Sequence, residues 1–237
     1  MDQGPLQAGS PLRTPRAAAV AGIVFSVLLI TALTLLRISV PARPAVPGMW
    51  LTESGRRAAV AVALNLVPFA GIAFLWFIGV LRDRIGERED RFFATVFLGS
   101  GLLFIAMLFV GAAVAGAIIA GIVPPSLPSR DTLTLGRNVT ASLLNVYSMR
   151  MAAVFTLTTV NIARRTQFVS RWLTLAGLAC ALVLMVGIGI NPWVELLFPL
   201  WILALSVEIL MAGRAAAGAG HPAASPASPA SPAEPPA

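Results

Sequence analysis

Long apolar blocks separated by short polar segments run along most of this chain. The first block, residues 17–36, holds no charged side chain over 20 residues. At a rise of about 1.5 Å per residue, a helix of that length crosses the ~30 Å hydrocarbon core of a bilayer. Strands around a soluble core are shorter than these uncharged blocks, so the pattern predicts helices that are surrounded by lipid.

The same criterion predicts an all-α fold, a polytopic membrane bundle of six transmembrane helices. The predicted ranges are 17–36, 58–81, 92–123, 139–163, 172–190 and 193–212. The third helix would be about 48 Å long, too long for an upright span, so tilt or a protruding end must absorb the excess. Residues 124–138, which begin with two prolines, are predicted to form a loop.

Both ends of the chain are predicted to be disordered. Residues 1–16 are polar and contain three prolines, and residues 213–237 consist largely of Ala, Pro, Ser and Gly with a repeated Ala-Ser-Pro triplet. Neither segment has enough apolar surface to offset the entropy cost of ordering. With six spans both termini share a side, and placing them in the cytoplasm puts ten arginines inside and six outside, as the positive-inside rule favours.

Composition agrees with membrane placement and excludes a nucleic-acid partner. Hydrophobic residues make up 57% of the chain and charged residues 11%, and the mean hydropathy is +0.85. The net charge of +7 comes from 17 arginines without a lysine. Because these arginines stand singly or in pairs at the ends of apolar blocks, they anchor helices at headgroups and form no continuous basic face.

The chain offers few ligands for a metal or a cofactor. Its single cysteine, Cys180, lies in an apolar block, and its single histidine, His221, lies in the tail. An intramolecular disulfide is impossible, and a Cys/His metal or haem site is excluded, so no cofactor is expected.

Arg150 is the position most suggestive of function. It lies about eleven residues from either end of the fourth predicted helix, near the bilayer midplane, where a guanidinium should face the bundle interior and meet an acceptor. Glu195 and Glu208 are the only acids inside predicted spans, and either could be that acceptor. The arginine would then be a buried tether between helices or part of a substrate or ion site.

Two further polar residues, and three small ones, are candidates for helix contacts. Tyr147 precedes Arg150 by three residues and shares its helix face. Asn65 lies beside Pro68 and could bond the backbone carbonyl that the proline frees, bond a neighbouring helix or line a cavity. In the third helix Ala112, Gly116 and Gly121 belong to pairs of small residues spaced by four. Such spacing lets another helix approach closely, so this face is a predicted helix-packing surface.

Residues 79–88, GVLRDRIGER, resemble the loop motif of major facilitator transporters and fall on the predicted cytoplasmic side between helices two and three. The resemblance implies that Asp83 and Arg84 would be gating contacts between two bundle halves. Glu87 stands where the family has a basic residue. A solvated turn with local salt bridges is the alternative interpretation of the same residues.

A second resemblance covers about a third of the chain, at 64–101, 146–159 and 193–210. There the sequence is similar to uncharacterised multi-pass integral membrane proteins of high-GC Gram-positive bacteria. That likeness implies a bacterial cytoplasmic membrane location and implies no reaction.

These residues bear on three classes of function. Ser100 lies in LGSG, which is similar to the serine motif of rhomboid proteases but lacks its first glycine, and no predicted helix supplies a histidine base. An enzyme is therefore not expected. The sequence favours a structural or partner-binding membrane component. Its partner would be either a second copy of the chain, in a homo-oligomer, or another membrane protein. The alternative is a small-solute or anion transporter or channel that uses Arg150.

Overall fold

The computed structural model describes residues 14–40, 53–85, 91–121, 129–166, 169–187 and 191–219. Within these ranges all regular structure is helical. The α-helices are α1 (Thr14–Ser39), α2 (Ser54–Ile85), α3 (Arg91–Ala120), α4 (Arg130–Ala141), α5 (Ser148–Thr166), α6 (Arg171–Val186) and α7 (Leu197–Ala219). A π-helical turn, Ser142–Tyr147, joins α4 to α5 without a break, and a 3-10 turn, Pro192–Leu196, leads into α7.

The described helices form a closed bundle, which confirms the predicted all-α fold. Helix α1 packs against α2 and α7, and the ring is completed by contacts of α2 with α3, α3 with α5, α5 with α6 and α6 with α7. Five of the described helical segments are long and apolar enough to cross a membrane, namely α1, α2, α3, the continuous α4–α5 and α7. Helix α6 is apolar but shorter, with 16 residues.

The centre of the bundle is filled by five phenylalanines from five different helices. We call these residues the phenylalanine cluster: Phe25, Phe74, Phe104, Phe155 and Phe198, all 0% exposed. Ring centroids lie 4.5 Å apart for Phe25 and Phe74, 5.0 Å for Phe74 and Phe155, and 4.9 Å for Phe104 and Phe198. Most of these pairs are tilted or edge-to-face, the arrangements that aromatic quadrupoles favour. Packing of this kind fixes the relative positions of the helices.

Helix α4 is the largest difference from the sequence prediction. The sequence predicts a loop at 130–138, but these residues are helical from Arg130 onward. Ser129 begins the helix by accepting a hydrogen bond from the Thr132 N–H at 3.2 Å, and Asp131 lies in the first turn, where a negative charge is favoured by the helix dipole. All the prolines of this segment precede Ser129 in the sequence, so none of them lies within α4.

Both termini are more ordered than expected next to the bundle. Helix α1 begins at Thr14 and α7 continues to Ala219, so 14–16 and 213–219 are helical, contrary to the predicted disordered arm and tail. Alanine is the strongest helix former, and three consecutive alanines follow Arg214. The rest of the predicted arm, 1–13, and of the tail, 220–237, lies outside the described residues.

Polar residues mark two levels about 30 Å apart along the bundle. A helix rise of about 30 Å separates Arg16 from Arg37 along α1, and a similar rise separates Glu195 from Arg214 along the 3-10 turn and α7. The distance matches the hydrocarbon thickness of a bilayer. We call the end of the bundle where α1 finishes and α7 begins the Arg37 end.

Helices α3 and α4 continue past the Arg37 end. A Cβ on Gly111 would lie 2.6 Å from Leu144 Cδ2, which puts these two residues at one level, one residue before Asn145. Residues 112–120 of α3 and 130–141 of α4 extend beyond that level and pack together, with Gly136 against Ile118. We call them the projecting hairpin. It accounts for the excess length predicted for the third helix.

Gly177 allows α6 to lie close to α5 and α7. A Cβ at this position would lie 2.5 Å from Val160 Cγ2 and 2.7 Å from Trp201 Nε1. The same indole nitrogen donates a hydrogen bond to the Leu173 carbonyl at 3.1 Å. We expect Gly177→Ala to displace the indole and lower the free energy of unfolding by about 1–3 kcal/mol, measured by SDS-induced unfolding in mixed micelles.

Gly79→Ala is the matched control, because in the described part of the chain no atom outside its own helix turn lies within 4 Å of its Cβ position. It should leave stability unchanged or raise it by up to about 1 kcal/mol through helix propensity. Equal effects of the two substitutions would contradict the close approach at Gly177.

Candidate functional site

A buried ion pair lies at the Arg37 end. Nη2 of Arg37 donates to Oε1 of Glu195, and the same nitrogen donates to Oδ1 of Asn145 at 3.2 Å. The Glu195 side chain is 8% exposed and that of Arg37 is 25% exposed. We call these three residues the Arg37 cluster. It joins the end of α1, the π-helical turn before α5 and the 3-10 turn that leads into α7.

Local sequence explains where the two charges of the Arg37 cluster stand. Asn191 caps the 3-10 turn, its side-chain oxygen accepting from the Trp193 N–H at 3.0 Å, and the proline after it suits a first helical position. Glu195 thus lies in the first turn of a helix and Arg37 in the last turn of another. Each helix dipole stabilises the charge it carries there.

The π-helical turn presents Asn145 to this pair. Its wider hydrogen-bonding pattern accommodates one more residue than an α-helical turn would, and Ser148 reinforces it by donating its hydroxyl to the Leu144 carbonyl. Such insertions within α-helices are often found at functional sites. Here the turn gives the guanidinium a second, neutral acceptor besides the carboxylate.

The chemistry of the Arg37 cluster is that of a tether between helices. Burial of a carboxylate is costly unless a cation and hydrogen bonds compensate it, and Arg37 supplies both while its own side chain stays 25% exposed. Removing either partner would leave the other without its counter-charge. The cluster therefore fixes α1, α5 and α7 at one end of the bundle.

The structure contradicts the expected placement of Arg150. Its side chain is exposed on the outer surface of α5, as is Tyr147, which is 55% exposed. Neither Glu195 nor Glu208 pairs with it: Glu195 binds Arg37, and Arg150 has no hydrogen bond or ion pair with any residue that the structure describes. Because Asn145 is level with Arg37 and Arg150 follows it by five residues, Arg150 lies only about 8 Å from the Arg37 end.

Glu208 is bound at the opposite end of the bundle. Its carboxylate accepts from the Ser170 N–H at 2.5 Å and from the Ser170 hydroxyl at 3.1 Å. Ser170 is the N-cap of α6, where the unpaired N–H groups and the helix dipole favour a negative charge. Glu208 therefore holds α7 to the start of α6.

Asn65 is also outside the Arg37 cluster. It is exposed, and its Nδ2 donates to the Ala61 carbonyl of its own helix at 2.8 Å. Pro68 frees the carbonyl of Leu64, four residues earlier, so the expected bond to that group is not the one formed. Asn65 lines no shared site with the other candidates.

The small residues of α3 have different surroundings from one another. Ala112 packs against the core and Gly121 is exposed. Among the described residues, no atom outside its own helix turn lies within 4 Å of the Cβ position of Gly116. Close helix approach within the chain occurs instead at Gly101, opposite Ile78, and at Gly111. The predicted packing surface at Gly116 is thus open to a partner.

The buried hydroxyl groups of Ser100 and of α5 are satisfied by their own helices, whereas those of Thr140 and Ser206 have no hydrogen-bond partner in the described part of the chain. Ser100 donates to the Val96 carbonyl at 2.7 Å, and Thr156 donates to the Ala152 carbonyl at 2.8 Å. Thr159 bonds Phe155 in the same way at 2.7 Å. The polar character of α5 therefore reflects back-bonding to carbonyls one turn earlier.

Sequence reasoning misses Arg37 as a site residue. It ends an apolar block, and an arginine at such a position indicates a topology marker at the headgroups. A usable signal is present: Arg37 and Glu195 are an opposite-charge pair at two span ends that the six-helix topology puts on one side of the membrane.

The predicted gating residues Asp83 and Arg84 have side chains that lie outside the described part of the chain, as do residues 86–90. Comparison with protein-family models, curated proteins and solved structures finds no match. Both resemblances noted in the sequence therefore stay predictions.

Proposed function

We propose that this chain is a structural or partner-binding component of the bacterial cytoplasmic membrane, with both termini in the cytoplasm. The observation that carries the proposal is the phenylalanine cluster. Five apolar rings, all 0% exposed, occupy the axis where a solute would have to pass through a single bundle. A centre of this kind supports a rigid scaffold.

The Arg37 cluster supports the same proposal. A carboxylate that is 8% exposed and already engaged by a guanidinium does not attract a solute as a hydrated, unpaired charge would. Its three helices are held together at the level where a vestibule would open. The ion pair therefore stabilises the arrangement of these helices.

The projecting hairpin supplies a surface for a partner. On α3, Ala113, Ala117 and Ala120 are exposed on one helix face, and the intervening Gly116 is open. Small side chains let a second helix come close enough for extensive van der Waals contact. We propose this face as the contact with a second copy or with a membrane partner protein.

The transporter alternative depends on an inward-facing Arg150. Its exposed position on α5 gives that alternative no support, because an anion drawn to it would be at the lipid-facing surface of the bundle. Transport by the folded protein would overturn the proposal.

Cysteine crosslinking tests the partner surface. Ala117→Cys is introduced in a Cys180→Ala background and treated with a bifunctional maleimide in native membranes. A crosslinked species is expected, because Ala117 is exposed and lies on the face proposed as the partner contact. Leu182→Cys is the control, since Leu182 is 65% exposed but lies on α6. A crosslink at Leu182 with none at Ala117 would contradict the proposed surface.

Flux through reconstituted liposomes tests the scaffold itself. Chloride and inorganic phosphate should leak no faster with the protein than from protein-free liposomes. Flux that the folded protein carries, and that Arg150→Ala abolishes without unfolding it, would replace the scaffold with the transporter.

A further inference from the structure

Arg150 and Tyr147 form a polar pair on the outer surface of a transmembrane helix. They are three residues apart and therefore share one face of the helix, and both are exposed. Among the residues that the structure describes, no acidic group faces Arg150 and no hydrogen bond reaches it. A guanidinium facing lipid requires an anionic partner or a path to the headgroups.

The position of Arg150 provides such a path. It lies about 8 Å below the Arg37 end, and side chains of an α-helix lean toward its N-terminus. In α5 that direction leads to the Arg37 end, past Tyr147. A long arginine side chain can thus place its guanidinium at headgroup level while its methylene groups lie along the apolar surface.

The surface below the pair suits an acyl chain. Leu157, seven residues after Arg150 and 46% exposed, lies on the same face, and Val154 between them is half-buried. The face thus presents a cation and a phenol at the outer level and apolar side chains further in. That order matches a phospholipid, with its phosphate above its acyl chains.

We infer that Arg150 and Tyr147 bind the phosphate of a membrane phospholipid in the leaflet at the Arg37 end. Guanidinium can donate two parallel hydrogen bonds to phosphate oxygens, and the tyrosine hydroxyl can donate a third. An anionic lipid such as phosphatidylglycerol is preferred to phosphatidylcholine, whose headgroup cation competes for the phosphate. This site is separate from the partner surface on α3.

Native mass spectrometry of the detergent-solubilised protein tests this site. On titration with phosphatidylglycerol, Arg150→Leu should weaken the tightest lipid adduct by about tenfold, and Tyr147→Phe should weaken it less. Arg171→Leu is the control, since Arg171 is also exposed but lies at the other end of the bundle. Equal retention of the lipid by wild type and Arg150→Leu would overturn the site.

Two further measurements separate the lipid from other anions. Excess inorganic phosphate should leave the adduct in place, because the acyl chains contribute to lipid binding, and displacement by phosphate would exclude a lipid as the ligand. A photoactivatable phosphatidylglycerol should label the peptide around residues 147–157 in membranes. If a crosslinker at position 154 captures instead an acidic segment of a protein, the lipid assignment is wrong.

Discussion

Replacing Glu195 with alanine is expected to lower the free energy of unfolding by about 3 kcal/mol, because the Arg37 guanidinium then loses its counter-charge at the end of the bundle. The loss should be near the lower limit for buried pairs, since the Arg37 side chain is 25% exposed and can reach water. SDS-induced unfolding in mixed micelles, followed by tryptophan fluorescence, measures the change.

An exposed pair of the same kind provides the control. Glu53 and Arg56 lie 2.7 Å apart, with side chains 59% and 41% exposed, and Glu53→Ala should cost under about 1 kcal/mol. The double variant Arg37→Met with Glu195→Leu should recover most of the stability, because it removes both charges together. If Glu195→Ala is no more damaging than Glu53→Ala, the tether at the Arg37 end does not exist.

Phe74→Ala is expected to lower the free energy of unfolding by about 3 kcal/mol, within the range for large-to-small changes in a packed core. The Phe74 ring contacts all four other members of the phenylalanine cluster. Between helices in lipid the transfer of apolar surface contributes little, so lost dispersion contacts and the cavity account for the effect. The same unfolding assay measures it.

Phe69→Ala on the same helix is the matched control for Phe74→Ala. Phe69 is 62% exposed, so its removal leaves no internal cavity and should change stability by about 0.5 kcal/mol or less. A comparable loss from both substitutions would mean that the packed centre is not what holds the helices in place.

The transmembrane helices can be predicted from sequence because an uncharged block of about 20 residues has few other uses. Their ends are predicted less well where polar residues are helical. In α4 the cap at Ser129 and the charge of Asp131 are the signals of a helix start, but the prolines before them favour a loop. In α7 the alanines after Arg214 extend the helix, although their composition resembles that of the tail.

The candidate site can be predicted only in part, because pairing depends on the level and direction of each side chain. Counting residues from a span start at 139 puts Arg150 near the midplane, but the contact of Asn145 with Arg37 puts the end of the span near residue 145 and Arg150 only about 8 Å beyond it. The predicted inward orientation of the Arg150 side chain is wrong as well. The hydrophobic pattern of the sequence does not reveal a π-helical turn, which changes the face on which the following residues lie. The sequence offers Glu195 as a partner for Arg150, and in the structure Glu195 pairs with Arg37 instead.

The π-helical turn has a consequence for the projecting hairpin. One extra residue in a helix rotates the residues after it by about 100° relative to an uninterrupted α-helix. Gly136 lies against Ile118 before the turn, and Asn145 reaches Arg37 within it. Relaxing the turn would break one of these two contacts, so the rotational setting of α4 and the position of Asn145 beside the Arg37–Glu195 ion pair depend on each other.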